Sequence, residues 1–291
     1  MILGRPRLPN FLIMKPEKFP ARLHILIARN SDQAIIIRRG PSKQTCVIGW
    51  DRKSNIFQVS QWLKGRIYER RCDISPSGKH WIYFAMNGKW YSKIGSWTAI
   101  AKVPWLKAIA FFPKNDCWFG GGLFLDDDSY WLNGGYIDNN GLLFDTNEVK
   151  RNITYSPPNY YGGECLTVYY NRLQRDGWTL IEKEKKRDFN DETIFEQTLS
   201  QQWTLQKICH AQIDSPPGKG CYWDEHIVYN QRGQSLISPD WEWAEWWDNS
   251  IYYAEKGCLY QLQIESANLL SKPKLLHDFN GYQFEFRQAP Y

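Results

Sequence analysis

The chain has 291 residues, 43% of them hydrophobic and 16% aromatic, and its 36 lysine and arginine residues exceed its 31 acidic residues to give a net charge of +5. This composition excludes a disordered chain and is sufficient for one large β domain or two ordinary ones. The charge is too modest to indicate a dedicated nucleic-acid interface, although aromatic and basic residues alternate at residues 89–93 and 105–107. We therefore expect no nucleic-acid partner.

The first 21 residues are predicted to form an N-terminal extension. Prolines at positions 6, 9, 16 and 20 interrupt its short apolar pieces, so the basic residues are not followed by the continuous apolar core of a signal peptide. No other run approaches the roughly 18 apolar residues of a membrane span. The seven cysteines are scattered without a CxxC pair, which is typical of reduced thiols. We expect a cytoplasmic protein that does not contact a membrane.

Beyond residue 21 the chain reads as a series of short strands separated by turns. Turn residues cluster at residues 53–55, in the Ser-Pro-Ser-Gly of residues 75–78, and through the glycine- and asparagine-rich residues 117–145. The predicted strands of the first part, each rich in β-branched or aromatic residues, are residues 22–29, Gln33–Arg39, residues 46–51, residues 56–62 and residues 81–86. These patterns predict a β-meander.

A charged segment, EKEKKRD, begins at residue 182. We predict that residues 182–199 form a charged insertion, a loop with a short helix, on an otherwise β scaffold. Loops carry function more often than the elements they connect, so a specialised binding loop is expected there.

Two aromatic-rich runs occupy residues 238–264. Acidic residues alternate with tryptophan or alanine at residues 240–246, which predicts a strand, and residues 251–254 predict its neighbour. Lys256 and Gly257 then predict a tight turn into a further strand at residues 258–262.

A weak internal repeat relates distant parts of the chain. The Ile-Tyr-Phe-Ala of residues 82–85 and the Ile-Tyr-Tyr-Ala of residues 251–254 are each followed by a glycine and then a tyrosine at the same spacing. A weaker copy, Val-Tyr-Tyr-Asn, occupies residues 168–171, so the copies begin 83 to 86 residues apart. Half of that period, about 42 residues, is the length of a four-stranded propeller blade.

Further candidate hairpins raise the number of repeated units to six. They lie at residues 35–38, Ser129–Leu132 and residues 227–230. The sequence therefore predicts an all-β fold in which residues 22–291 form a single β-propeller of six degenerate four-stranded blades. Five or seven blades and a two-domain β-sandwich are the alternatives.

Three segments carry a family resemblance. Residues 72–80, Cys-Asp-Ile-Ser-Pro-Ser-Gly-Lys-His, resemble the strand-turn-strand element of TolB-like and WD-repeat propellers, with Ser77 where those proteins usually have aspartate. Residues 238–264 look like another blade of the same kind, and residues 277–291 are similar to the closing segment of uncharacterised bacterial propeller-like proteins. The resemblance implies the propeller fold and no particular activity.

The recognised signatures of catalysis and cofactor binding are missing from the sequence. It contains no GxSxG elbow, no GxxxxGK[ST] phosphate loop, no HExxH and no EF-hand loop. Residues 209–226 contain two cysteines and two histidines, but without the closely paired spacing of a zinc site. The aspartates at residues 126–128 lack the surrounding ligands of a calcium site. We therefore predict no metal and no cofactor.

A cluster of tryptophans and carboxylates is the candidate site. Its members, predicted to bind rather than to catalyse, are Trp223, Asp224, Glu225, His226, Trp241, Glu242, Trp243, Glu245, Trp246 and Trp247. A glycosidase uses paired carboxylates beside aromatic platforms. In a strand over residues 240–246, however, Glu242 and Glu245 lie on opposite faces. This favours packed tryptophans whose neighbouring carboxylates accept indole or backbone N–H groups.

We predict a non-enzymatic propeller that presents loops and aromatic side chains to a protein partner. One specific form of this prediction is an immunity protein that neutralises a bacterial toxin by covering its active site. The alternatives are a glycoside hydrolase that uses two of Asp224, Glu225, Glu242 and Glu245, and a carbohydrate-binding propeller without turnover. Residues 240–247 have no counterpart in the upstream copy of the repeat and are the narrower candidate for function.

Overall fold

The computed structural model describes residues 19–40, 43–91, 94–134, 142–184, 190–233, 235–238, 240–267 and 269–291. The fold is all-β, with 49% strand and 7% helix. Within the described ranges the strands form five sheets that follow one another along the chain and pair almost entirely in antiparallel fashion. The sequence predicted six four-stranded units, whereas the described sheets contain three to five strands each.

The first sheet is a four-stranded meander. Its strands are β1 (Arg22–Ile27), β2 (Gln33–Arg39), β3 (Thr45–Asp51) and β4 (Ile56–Leu63). In β2, Ile35 and Ile37 pack into one apolar cluster and Ala34 and Ile36 into another. A strand that is buried on both faces reads as a continuous apolar run, which explains the three successive isoleucines.

The second sheet has an interrupted first strand. Its elements are β5 (Arg66–Ile67), a 3₁₀ turn (Glu69–Arg71), β6 (Asp73–Ile74), β7 (His80–Met86), β8 (Ser96–Lys102) and β9 (Ala108–Lys114). Both β5 and β6 pair with β7, and the turn between them buries three charged side chains, Glu69, Arg70 and Arg71. The predicted Ser-Pro-Ser-Gly turn lies between β6 and β7, where Gly78 has a positive φ of 75°.

The third sheet is short and is followed by a helix. Its strands are β10 (Gly122–Phe124), β11 (Ser129–Leu132) and β12 (Lys150–Arg151), of which β11 and β12 are parallel. The helix α1 (Glu164–Arg175) then begins.

Helix α1 corrects the prediction that residues 168–171 repeat a strand. Leu166, Tyr169, Tyr170 and Leu173 are buried together, and they recur at the spacing of three and four residues that defines one helix face. Gly177, which the repeat required as a hairpin glycine, instead ends the helix with a φ of 95°. Its N–H bonds the carbonyl of Gln174, and the N–H of Trp178 bonds that of Leu173, which is a Schellman cap.

The fourth sheet contains the segment that was predicted as an insertion. Its strands are β13 (Thr179–Glu184), β14 (Asn190–Thr198), β15 (Trp203–Gln212), β16 (Tyr222–Asn230) and β17 (Ser235–Ser238). Strands β13 and β14 pair with each other across residues 182–199, so the prediction of a loop with a short helix is wrong for the described part of that segment. Thr193 and Phe195 are both buried, because residues two apart lie on the same face of a strand.

The fifth sheet confirms the predicted turn. Its strands are β18 (Trp243–Trp247), β19 (Ser250–Glu255), β20 (Cys258–Ser266), β21 (Leu269–Leu270) and β22 (Lys274–Asp278). Lys256 and Gly257 both have positive φ and join β19 to β20, as in a type I′ hairpin. Residues 82–85 and 251–254 lie in β7 and β19, each of which follows the first strand of its sheet, so these two copies of the repeat occupy equivalent positions.

Neighbouring sheets contact each other in chain order. Strand β1 contacts β6, and β6 contacts β10. Helix α1 contacts both β10 and β13, so it lies between the third and fourth sheets. Strand β16 contacts β18, and β18 and β19 contact β1.

The last part of the chain connects the fifth, first and second sheets. The side-chain oxygen of Asn280 accepts a hydrogen bond from the backbone N–H of Ala21, at 2.8 Å. Gln61 donates to the carbonyl of Arg287, and the hydroxyl of Tyr291 accepts from the N–H of Lys102.

Candidate functional site

A cavity of about 670 Å³ lies where several elements end. The C-terminal residues of β1, β6, α1 and β18 all line it, together with side chains from β14 and β15. Four of the ten predicted site residues line this cavity, namely Trp243, Glu245, Trp246 and Trp247.

Glu245 is held by two donors at the cavity wall. Its carboxylate accepts the indole N–H of Trp178 at 2.9 Å and the ammonium of Lys207 at 3.2 Å. Lys207 is only 1% exposed, and its Nζ also lies 4.3 Å from the Trp178 ring centroid. The prediction that a carboxylate of the cluster accepts an indole N–H is confirmed at Glu245.

Asp224 lies in the interior, away from this cavity. Arg70 Nη2 donates to its Oδ1 at 2.8 Å, and the Tyr169 hydroxyl donates to its Oδ2 at 2.7 Å. Burial alone would raise the pKa of Asp224, but Arg70 and Lys207 outweigh it and hold that pKa below its ordinary value. Asp224 is therefore a charged structural group rather than a proton donor.

His226 projects from the same face of β16 as Asp224. The side chain is fully buried, and its Nδ1 lies 3.1 Å from the carbonyl of Trp241. Burial, reinforced by the charge of Lys207, lowers the pKa of His226 to about 3, so the imidazole is neutral at physiological pH.

Trp223 and Glu225 lie on the opposite face of β16 from Asp224 because side chains alternate along a strand. Trp223 stacks on His210 with ring centroids 3.8 Å apart. Glu225 is half-buried, and its carboxylate lies 3.7 Å from His210 Nε2. These two residues are therefore separated from the cavity.

Trp241 and Glu242 precede β18 and join the first and fifth sheets. Trp241 stacks on Tyr253 with ring centroids 3.9 Å apart. Glu242 Oε2 accepts the backbone N–H of Leu23 at 2.8 Å. Burial raises the pKa of Glu242 to about 7, with the Leu23 N–H and Arg22 opposing that rise.

The predicted cluster thus divides into separate environments, which corrects its treatment as one site. The strand begins at Trp243 rather than at residue 240, so Trp241 and Glu242 lie outside its alternation. Of the four carboxylates, Asp224 is bonded in the interior, Glu242 is half-buried and bonded to β1, and Glu225 faces away. Glu245 alone lines the cavity, where it is already bonded to two donors. This geometry gives the glycosidase alternative no carboxylate pair.

Arg52 is a residue of this cavity that no sequence pattern indicated. It follows β3 and is 4% exposed at the cavity wall. Its Nη2 donates to the carbonyls of Ala28 and Ser31, and its guanidinium lies 4.3 Å from the Trp247 ring centroid. Its Nε and Nη1 have no hydrogen-bond partner within the part of the chain that the structure describes. The sequence around Arg52 resembles a solvated turn, so no signal indicated this burial.

Helix α1 supplies two further arginines to the cavity. Arg175 bonds both oxygens of Asp73, at 2.6 and 2.9 Å. Arg172 donates to the carbonyls of Cys72 and Glu69. Their spacing of three residues places both on one helix face, a signal that the strand prediction for this segment concealed.

A second cavity, of about 450 Å³, lies at the other end of α1, where Gly163 and Thr167 contribute to its wall. It is bordered by exposed apolar side chains, including Ile153 and Tyr160, which are 80% and 69% exposed. Trp118 is exposed beside Phe119, which also lines this cavity.

Neither a group of metal ligands nor a membrane-spanning helix is found among the described residues. No three or more histidine, cysteine, aspartate or glutamate side chains in them are grouped as metal ligands. No helix in those ranges has the length and apolar character needed to cross a membrane.

Comparisons with known proteins identify no family. No family model matches the chain, and no curated protein matches it. Among solved structures, one of an uncharacterized protein from Listeria monocytogenes EGD-e is similar over 87% of this chain, with 8% sequence identity and a TM-score of 0.26. The match spans 66% of the Listeria chain, which is slightly less than two thirds of its length.

Proposed function

We propose that the five sheets are the blades of a propeller and that the chain is a non-enzymatic binding protein whose ligand occupies the 670 Å³ cavity. The contacts between sheets support the propeller, because they lead from the first sheet through the second, third, fourth and fifth back to the first. Helix α1 connects the third and fourth blades, because it contacts both β10 and β13.

The observation that carries the binding function is the composition of the cavity wall. Ligand sites are typically clefts of about 300–1,000 Å³ with aromatic walls and a few placed polar groups. Here Trp243 and Trp247, which share one face of β18, provide the aromatic wall, and Arg52 provides buried donors. Binding is favoured over turnover because Glu245, the cluster carboxylate at this cavity, already has two donors.

A variant that fills the cavity tests this function. Asn30 lines the cavity and is exposed, so Asn30→Trp adds bulk at the opening without disturbing the core. We expect compounds that raise the melting temperature of the wild type by several degrees, as saturating ligands do, to lose this effect in Asn30→Trp.

Lys53→Trp, in the exposed turn next to Arg52, is the matched control and should respond as the wild type does. A library in which no compound stabilises the wild type, or in which every active compound stabilises all three proteins equally, would contradict the proposal. The wild type should hydrolyse none of a panel of glycosides. Hydrolysis of any of them would instead support the glycoside hydrolase alternative.

A protein partner is the second candidate function. Contiguous exposed apolar surface marks interaction sites. Ile153 and Tyr160 line the second cavity and are exposed, and the exposed Trp118 is next in sequence to Phe119, which also lines it. An immunity protein that neutralises a bacterial toxin is the specific form of this proposal. A cytoplasmic location is part of it. Protection of cells against a toxin encoded beside the gene should be lost in Trp118→Ser/Tyr160→Ser, and unchanged protection would remove this surface from consideration.

A further inference from the structure

We propose that the ligand of the 670 Å³ cavity is a small organic anion whose carboxylate or phosphate group is bound by Arg52, with its ring against Trp247. This inference rests on the proposed function, which requires only that some ligand occupies the cavity. It adds the chemical class of that ligand.

Cationic side chains outnumber acidic ones at the cavity wall. Five cationic side chains and four acidic ones line the cavity among the described residues. Three of the acids are already engaged, because Arg175 bonds Asp73 and Asp176 and Lys207 bonds Glu245. Asp176 also lies 4.0 Å from Arg29, which is at the rim.

Two guanidinium charges at the cavity wall have no ion-pair partner among the described residues. Arg52 and Arg172 lie at the wall with Asp32 as the one remaining acid, and within the described ranges no carboxylate is within ion-pair distance of either guanidinium. Arg172 is bonded to backbone carbonyls, and the carboxylate of nearby Glu69 is bonded to Arg39. A buried charge is costly unless a counter-charge compensates it, so the cavity favours an anion.

Hydrogen bonds satisfy the Arg52 guanidinium only in part. One of its nitrogens is fixed by two backbone carbonyls, while Nε and Nη1 are buried without a partner. An unsatisfied buried donor costs about 1–3 kcal/mol, more when it is charged. A guanidinium presents parallel N–H groups that match the two oxygens of a carboxylate or phosphate.

An aromatic surface lies beside that guanidinium. Trp247 lies against Arg52 and is half-buried at the cavity, on the face of β18 that it shares with Glu245. Half-buried indole rings provide flat apolar surface on which a planar or sugar ring can stack. The anionic group and the ring of one ligand can therefore be bound side by side.

The test uses four probes that share one ring. Benzoate and phenyl phosphate carry the two candidate anionic groups, benzyl alcohol is neutral, and benzylamine is cationic. Calorimetric titration of the full chain should show at least one anion binding about tenfold more tightly than benzyl alcohol, with benzylamine weakest. Whichever anion binds more tightly distinguishes a carboxylate ligand from a phosphate ligand.

Charge variants at the cavity make the test specific. Arg52→Met should lower the affinity for the preferred anion at least about tenfold. Arg52→Lys should lower that affinity less, because lysine keeps the positive charge and loses only the paired N–H groups. Asp32→Asn should raise the affinity for the anion about threefold, since it removes a repelling charge without removing a buried donor. Lys53→Met, outside the cavity, should leave affinity unchanged.

The outcomes separate this inference from the proposed function. If benzyl alcohol binds as tightly as the anions and Asp32→Asn has no effect, the anion inference is overturned while a ligand cavity stands. If no probe binds the wild type and none of the wider library does, both are overturned. If Arg52→Met does not fold, the affinity change in Asp32→Asn decides the question.

Discussion

Asp224 is a buried carboxylate and Glu242 a half-buried one, and their surroundings favour opposite charge states. Arg70 and Lys207 overcome the effect of burial on Asp224 and keep its pKa below the ordinary value. Glu242 has a backbone N–H as its hydrogen-bond partner, and burial raises its pKa to about 7. The comparison shows that burial does not decide the charge of a carboxylate. The decisive factor is whether a cation bonds to it directly.

The largest expected effect is that of Asp224→Asn. The substitution leaves the Arg70 guanidinium buried beside a neutral amide, so we expect the free energy of unfolding to fall by about 3–5 kcal/mol. Denaturant titration at neutral pH measures the change.

The double variant Arg70→Met/Asp224→Leu tests the reason for that loss. Removing both charges removes the uncompensated ion, so the double variant should be more stable than Asp224→Asn alone. A double variant that is less stable than Asp224→Asn would show that packing around Tyr169, rather than charge compensation, explains the effect.

His226 gives the next largest effect, and it appears on acidification. Its pKa is about 3 in the folded chain and 6.5 ordinarily, so the unfolded chain binds more protons between these values. This part of the stability is complete above pH 6.5 and falls by up to about 1.4 kcal/mol per pH unit below it. In His226→Gln the slope of unfolding free energy against pH should be reduced between pH 6 and pH 4, and an unchanged slope would contradict the assignment.

Glu242 should contribute a dependence of the opposite sign. The folded chain binds more protons between about pH 4.5 and 7, so this contribution is complete below pH 4.5 and is lost as the pH rises towards 7. Glu242→Gln keeps an acceptor for the Leu23 N–H and stays neutral. We expect it to be more stable than the wild type by about 1–3 kcal/mol at pH 8 and equal to it near pH 4.5. A variant that is less stable at pH 8 would contradict the raised pKa.

The smallest expected effect is that of Glu225→Gln, which serves as the matched control on the same strand as Asp224. Glu225 is half-buried on the opposite face and lies 3.7 Å from His210. Such a pair contributes little, so the unfolding free energy should change by less than about 0.5 kcal/mol. A fall in unfolding free energy as large as that of Asp224→Asn would contradict the different roles assigned to the two faces of β16.

The sequence predicted elements whose signal is local. Strand β2 and the Lys256-Gly257 turn are found where apolar runs and turn residues placed them. Helix α1 was missed because Val168, Tyr169 and Tyr170 have strand propensity, and burial of one helix face overrides that propensity. The spacing of Leu166, Tyr169 and Leu173 was the signal that could have identified it.

The candidate site was predicted only where aromatic residues made it visible. Trp243, Trp246 and Trp247 line the cavity, but Arg52 and Arg172 do so through contacts with strands and helices distant in sequence. An arginine is usually exposed, so its burial depends on partners that no local pattern reveals. The separation of Asp224 from Glu245 likewise depends on how the fourth and fifth sheets pack.

The burial of β2 on both faces has a consequence for synthesis of the chain. Ile35 and Ile37 pack against residues of the second sheet, whereas Ala34 and Ile36 pack against residues of the fifth, including Trp243 and Leu259. A ribosome makes those partners more than 200 residues after β2. One apolar face of the first sheet is therefore uncovered during most of translation, and an unpaired apolar face is a target for chaperones and a starting point for aggregation.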